Sequence, residues 1–268
     1  GRIVNGFDQL SNIRTKRADV ELRNAEGLNT PYSDFGVSFK DNYTVVFVST
    51  RPNADQYSEK DSWTSGYYTD LYESGVSFEG VSSPKPFNEK YNGMYHDGPV
   101  AFYADKMYLT RSNYRKARVY RSKTDKTVKL QMYAVDRSSP KKKLRKYGEK
   151  LPWSDRDYSV GHPTVSKDGK MMIFASDNSA FKGHQGGTDL YMVKRKDGSS
   201  KWGEPVNLGP SVNTPEDEEY PFLGADNSLY FASNGHLGLG GLDVFYAKME
   251  GDSGRWTSPQ NMGEPFNT

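Results

Sequence analysis

A "GDSG" frame at 251–254 and an "IVNG" run at 3–6 contain the residue types of a serine-nucleophile hydrolase. Such a nucleophile needs a positioned base and oxyanion donors. Ser253 instead falls in a hairpin turn ahead of Trp256, and Ile3 is not the first residue, so the protease reading fails. The four histidines come next. His96 and His162 begin equivalent strands and read as hydrogen-bonded packing groups, with a channel metal or ligand site as the sharper alternative. His184 and His236 lie in glycine-rich loops and read as solvated. The chain has no cysteine, which removes disulfides and thiolate metal sites. The acidic stretch "TPEDEEYPF" (214–222) and the Gly-Gly-Xaa-Asp turns offer oxygen ligands to a hard cation such as Ca²⁺, but EF-hand spacing is missing. The expectation is no catalytic residue, no metal ligand and no cofactor, with Ca²⁺ the one cation that the acidic loop would suit.

Binding chemistry is better represented than catalysis. The insert at 53–68 is rich in Tyr and Trp, and the insert at 114–129 combines Tyr with Arg and Lys. Exposed Trp, Tyr and Arg are frequent interface anchors, and long connections are where recognition usually resides. Trp63, Tyr67, Tyr68, Tyr114, Arg115 and Arg118 are therefore the expected partner-binding residues. Trp63, Tyr67 and Tyr68 also have the rings to stack on sugars, so a glycan is the alternative ligand to the favoured protein partner. The basic run at 141–150 reads as a solvated loop, or as a contact for an acidic partner or anionic lipid.

These residues need a scaffold, and composition indicates which kind. Among 268 residues there are 26 Gly, 14 Pro, 19 Tyr and 13 Phe, a mixture suited to many short strands joined by tight turns. The net charge of +2 argues against a dedicated nucleic-acid or membrane-surface binder. No apolar run approaches the length of a membrane-spanning helix. The first residue is Gly rather than Met, which suggests an excised or processed piece.

Internal repetition is the main signal. The stretch "GHPTVSKDGKMMIFASDN…GGTDLYMV" returns as "EYPFLGADNSLYFASN…GGLDVFYA". Asp189/Asp243, Trp202/Trp256, Asn207/Asn261 and Thr214/Thr268 are each 54 residues apart. Weaker copies precede them: Asp70-Leu71-Tyr72 matches Asp189-Leu190-Tyr191, and Pro99 matches Pro163, whereas Gln131 replaces the Asp in the second copy. Each copy contains about four strands, so the expected fold is an all-β propeller. Four four-stranded blades are recognisable, at about 31–90, 91–150, 151–214 and 215–268. "ELRNAEGLNT" at 21–30 resembles a fourth strand of a further blade, implying more than four blades in the parent protein. Residues 1–20 read as a linker or partial element, and 21–268 as the propeller. Within the repeat, Asp70, Asp189 and Asp243 are expected to bind backbone amides of the preceding loop, and Trp202 and Trp256 to cover the outer strand.

The succession "YSDFGVSF", "HDGPVAF", "YSVGHPTVSKDG", "WGEPVNLGPSVNTPEDEEYPF" and "SNGHLGLGGLDVFYA" resembles TolB-type, WD-like propellers. More narrowly, it resembles those of OmpA-family, PorE-like envelope proteins of Bacteroidetes, over about 30–268. That resemblance implies a non-catalytic scaffold, not an enzyme. It would be periplasmic and outer-membrane-associated, and would join protein partners of a type IX secretion or gliding complex to the cell wall. Peptidoglycan would be met only through a domain absent from this chain. A glycan-binding propeller or a glycosidase-like enzyme is the alternative.

Overall fold

A computed structural model describes residues 13, 20, 22–52, 60–61, 65–88, 91–115, 118–138, 148–195, 200–251 and 254–267. These fall into two compact units, Asn24–Pro163, and Thr164–Thr268 together with Gly1–Arg23. The described residues form four antiparallel sheets of propeller-blade type and one two-stranded hairpin.

In the first blade, β1 (Asp34–Asp41), β2 (Thr44–Ser49) and β3 (Asp70–Ser77) pair in order, and both β4 (Gly80–Val81) and β5 (Lys85–Pro86) pair with β3. The second blade contains β6 (Asp97–Tyr103), β7 (Lys106–Ser112), β10 (Leu130–Asp136) and β11 (Glu149–Lys150). A small hairpin, β8 (Tyr114–Arg115) with β9 (Arg118–Val119), is set between its second and third strands. The third blade is β12 (Val160–Val165), β13 (Met171–Ser176), β14 (Asp189–Lys194) and β15 (Val206–Asn207). The fourth is β16 (Glu218–Leu223), β17 (Leu229–Ser233), β18 (Asp243–Ala247) and β19 (Gln260–Asn261).

Hairpin turns follow the Asx chemistry expected of them. Asp168 Oδ1 accepts the Lys170 N–H at 3.0 Å, Asp226 Oδ1 the Ser228 N–H at 3.0 Å, and Asp41 Oδ1 the Tyr43 N–H at 2.9 Å. Burial then explains the apolar patterning. Every residue of "MMIFAS" in β13 is buried, because both faces of that blade are covered. One face meets the fourth blade in a core of Met171, Ile173, Leu190, Met192, Leu229, Phe231 and Phe245. In the first unit of the chain, Val46, Val48, Leu71, Val100, Leu109 and Val135 form the matching core between blades one and two. Strands β17 and β18 instead alternate buried with half-buried residues. There Tyr230 and Tyr246, with ring centroids 5.0 Å apart, stand where the third blade has Ile173 and Met192.

Two devices repeat with the blades. The first is a left-handed residue in each first strand: Gly36 (φ 63°), Gly98 (φ 97°), His162 (φ 53°) and Tyr220 (φ 50°). In β1, β6 and β16 it coincides with a slip in register against the second strand. Such bulges re-aim the strand. A side chain in this conformation costs roughly 1–3 kcal/mol, which His162 and Tyr220 bear and the two glycines do not.

The second device closes each blade. The fourth strand is short: β15 pairs with Tyr191 and Met192, and the Leu208 N–H just past it reaches the Leu190 carbonyl at 3.1 Å, which leaves the N–H of buried Leu190 to a side chain. Asn213 supplies what is missing, its carboxamide accepting the Leu190 N–H at 2.8 Å and donating to the Leu190 carbonyl at 3.0 Å. Asn92 does the same for Leu71 at 2.8 and 3.0 Å, and Asn267 for Val244 at 2.8 and 2.9 Å. In the second blade the Ser154 hydroxyl takes the role toward Met132, at 3.3 Å each way.

The Asn213→Ala substitution is therefore expected to leave the Leu190 N–H buried without its acceptor, at a cost of about 1–3 kcal/mol. A denaturant titration checks this. The same titration of Leu22→Ala, an exposed position, should move by less than about 0.5 kcal/mol.

Candidate functional site

The richest chemistry among the described residues lies in the Asn24–Pro163 unit, where the first insert meets the start of β6. Toward the end of the insert the Asp61 N–H meets the Gly66 carbonyl and the Ser65 N–H the Asp61 carbonyl, both at 2.8 Å. Tyr67 and Tyr68 follow directly. The Tyr67 ring lies 6.4 Å from Tyr32, with the Lys60 ammonium 5.4 Å from its centroid. Tyr68 packs edge-on against Tyr95 at 5.4 Å and His96 at 4.8 Å, and Tyr95 packs against Tyr114 at 5.0 Å.

A buried ion pair underlies these rings. Arg111 Nη2 lies 2.9 Å from Asp97 Oδ1, and both side chains are almost wholly enclosed. The guanidinium sits 4.7 Å from the Tyr114 ring centroid and donates to the Tyr114 hydroxyl. Asp97 Oδ2 accepts the Gly93 N–H at 2.7 Å. Gly93 has to be glycine, since a Cβ there would lie 1.6 Å from the Tyr114 hydroxyl. Burial pushes the Asp97 carboxyl up to about 7 against the pull of Arg111. Burial likewise raises Asp70 to about 6. His96 Nδ1 accepts the Thr69 N–H at 3.3 Å, which places any ring proton of the neutral form on Nε2. Burial lowers the pKa of His96, with a smaller opposing pull from Asp61.

The expected partner-binding residues separate by position. Tyr67 and Tyr68 are half-buried and adjoin this cluster. Arg118 is exposed, with its guanidinium 5.7 Å from the Tyr120 ring. Tyr114 is only 4 % exposed, so it supports the cluster from inside and offers no face to a partner. Arg115 is placed by its backbone in β8. Trp63, Ser253 and the loop at 139–147 lie outside the described residues. Tyr95, Asp97 and Arg111 went unremarked in the sequence. Aligning "LTRSN" with "FASDN" shows Arg111 where the third blade has Ser176, and that exchange is the signal that would have found them.

The repeat residues hold loops. Asp189 Oδ2 accepts the Gln185 N–H at 2.7 Å and the Asn207 carboxamide at 2.7 Å. Asp243 Oδ2 accepts from the Leu239 N–H and from the Gly240 N–H at 3.4 Å. Asp70 starts β3 opposite Ser49. Trp256 bridges to Met249 and joins the core of its unit, while Trp202 bridges to Arg195, whose guanidinium lies 4.4 Å from its ring centroid. Two expectations about histidine need correcting. His184 Nδ1 lies 3.3 Å from Asp189 Oδ2 and 3.1 Å from the Tyr191 hydroxyl, and His236 Nε2 lies 2.8 Å from the Val212 carbonyl. Their glycine-rich loops fold back over the blade, so neither ring is merely solvated. In the acidic loop, Glu218 takes hydrogen bonds from Thr214 and Ser233, and Asp217 takes the Thr188 N–H. Among the described residues no group of three or more His, Asp or Glu is gathered around a metal-sized space. No helix among them is long and apolar enough to cross a membrane.

No protein-family model matches the chain, and no curated protein matches it. Among solved structures, a thermostable family-43 glycoside hydrolase is similar with a TM-score of 0.50 and 14 % identity, covering 87 % of this chain and 73 % of its own. The fold is a β-propeller. TolB from Acinetobacter baumannii gives 0.47 and 16 % over 85 % of this chain, and a Hadza microbial sialidase 0.38 and 13 % over 83 %. This propeller spans 44 % of the length of that TolB and 45 % of that of the sialidase. The glycoside hydrolase overturns the expectation that the chain is not an enzyme. Its propeller architecture hosts hydrolysis, so the architecture supplies no ground for excluding catalysis.

One pH dependence follows from the blade bulge. Burial depresses His162 to about 4, whereas an unfolded chain takes up that proton near its ordinary 6.5. The unfolded state therefore binds more protons between these values, so stability is full above pH 6.5 and falls as pH drops toward 4. The His162→Asn substitution keeps a side chain tolerant of positive φ and should remove roughly 3 kcal/mol of that fall. Denaturant midpoints of both proteins at pH 4.5, 5.5 and 7 provide the check.

Proposed function

We propose that this propeller is an interaction module of a bacterial envelope assembly. It works in the periplasm at the outer membrane and binds protein partners through the aromatic rim of its first two blades. The assembly is of the type IX secretion or gliding kind, tied to the cell wall through a peptidoglycan-binding domain outside this chain. The family part of the proposal rests on the motif resemblance to PorE-like proteins.

The binding part rests on one observation, the edge-to-face arrangement of Tyr68, Tyr95 and Tyr114 above the Arg111–Asp97 pair. Sugar rings stack on flat, open aromatic faces. Here Tyr68 stands at 77° to Tyr95 and 75° to His96, so the rings are set against one another at steep angles and present no common flat platform. Tyr68 and Tyr95 are half-buried and join apolar rings to hydroxyl groups, which suits the mixed apolar and hydrogen-bonding surface of a protein. The cluster is also held rigid from below, so little side-chain freedom is lost on binding.

Affinity capture from envelope extracts tests the proposal. The wild-type protein should retain a secretion or gliding component, and Tyr68→Ala combined with Arg118→Ala should weaken retention by about 30-fold, the scale of an interface hot spot. Retention unchanged in the double variant would remove the rim from the proposal. Cleavage of a glycoside panel, abolished by one carboxylate substitution, would replace binding with enzymatic function.

A further inference from the structure

The closing device of the blades occurs once more, in Asn24–Thr30. "NAEGLNT" parallels "NLGPSVNT" at 207–214 and "NMGEPFNT" at 261–268. The local geometry matches as well as the sequence. Asn29 Nδ2 donates to Asn24 Oδ1 at 2.6 Å, as Asn213 does to Asn207 at 2.9 Å and Asn267 to Asn261 at 2.8 Å. The Asn29 N–H turns back to the Ala25 carbonyl at 3.1 Å, as Asn213 does to Gly209 and Asn267 to Gly263, both at 2.9 Å. Thr30 holds the Asp34 carboxylate through its N–H at 2.8 Å and its hydroxyl at 2.6 Å, as Thr214 holds Glu218. Arg51 anchors the segment through the Leu28 carbonyl at 2.6 Å.

One thing differs. Asn92, Asn213 and Asn267 are buried against the third strands they grip, whereas Asn29 and Asn24 are exposed. Among the described residues no third strand lies against this segment. The clasp is thus assembled by its own hydrogen bonds without a strand in its grip.

We infer that Asn24–Thr30 is a strand-receiving site. Its occupant is an extended segment of a further propeller blade reading Asp, then Leu or Val, then Tyr or Phe. The equivalents within the chain define both contacts. Asn29 takes the backbone N–H and carbonyl of the aliphatic residue, as Asn213 does for Leu190. Asn24 donates its carboxamide N–H to the preceding carboxylate, as Asn207 does to Asp189 at 2.7 Å. Backbone pairing supplies affinity and the carboxylate supplies selectivity, the logic of strand addition to a sheet edge. The inference does not depend on the aromatic rim or on any partner that the rim binds.

The probe is a synthetic peptide with the sequence of residues 187–194, GTDLYMVK, titrated into the ¹⁵N-labelled protein while the carboxamide signals of Asn24 and Asn29 are followed. Saturable shifts of both signals are expected. The Asn29→Ala protein should bind at least tenfold more weakly with an unchanged denaturant midpoint, since Asn29 is exposed. A peptide with Ala in place of Asp189 should weaken similarly. Failure of the peptide to saturate, equal binding by Asn29→Ala, or equal binding of a scrambled peptide overturns the inference. So does a concentration-dependent dimer that Asn29→Ala abolishes, because the occupant would then be a second copy.

Discussion

One backbone N–H in each third strand is buried where the short fourth strand does not reach, and the rest of the repeat is organised around satisfying it. An unmet amide in that position would cost about as much as a lost core side chain. The carboxamide that meets it cannot stand alone. Asn213 is oriented by Asn207, which also holds Asp189, which in turn gathers the N–H of the loop before β14. The residue after the clasp then begins the next blade: Thr214 grips Glu218 at the start of β16, and Gly93 grips Asp97 at the start of β6. Closing one blade and starting the next are a single hydrogen-bonded event, which explains why the spacing of Asn, Asp and Thr survives where surface residues drift.

Much of this architecture was legible in the sequence because propellers repeat themselves. Asp168-Gly169 and Asp226-Asn227 identify hairpins from local chemistry alone, and the 54-residue phase of Asp, Trp, Asn and Thr aligns the last two blades. The role of the Asn-Thr pair was not legible. Its recurrence at 29–30, 213–214 and 267–268 was plain, but the target of a carboxamide is set by pairing between distant strands. The same physics hid His184 and His236. Glycine-rich loops read as open, yet these two fold back so that each imidazole reaches a buried acceptor. Tyr114 shows the converse: an aromatic residue in a basic insert looks like a surface anchor until the register places Arg111 beneath it.

The aromatic rim and the buried ion pair belong together. Rings that pack edge to face hold one another only if something fixes the lowest member, and the guanidinium under Tyr114 does so with a planar, multiply bonded cation. Replacing either charge leaves the other enclosed without its counter-charge, which is the expensive half of any buried pair. The orientation of Tyr68 and Tyr95 is thus tied, through Tyr114, to the buried ion pair.

The second blade shows how such a device arises by exchange. In the other three blades a serine ends the second strand opposite an aspartate: Ser49 with Asp70, Ser176 with Asp189, Ser233 with Asp243. Here Arg111 stands opposite Gln131, and Gln131 donates to the Tyr158 carbonyl instead of accepting amides. Arg111 pairs instead with Asp97, the counterpart of Asp34 and Glu218, which begin the first strands of blades one and four opposite Ser49 and Ser233. Arginine opposite the aspartate of the other blades would leave the loop amides competing with a guanidinium, and glutamine opposite serine would leave the loop without its anion. Arg111 and Gln131 therefore depart from the repeat together, with Asp97 supplying the counter-charge. A chimaera that takes Asp97 and Arg111 from different parents would thus enclose one charge without its counter-charge, although each position alone looks interchangeable among blades.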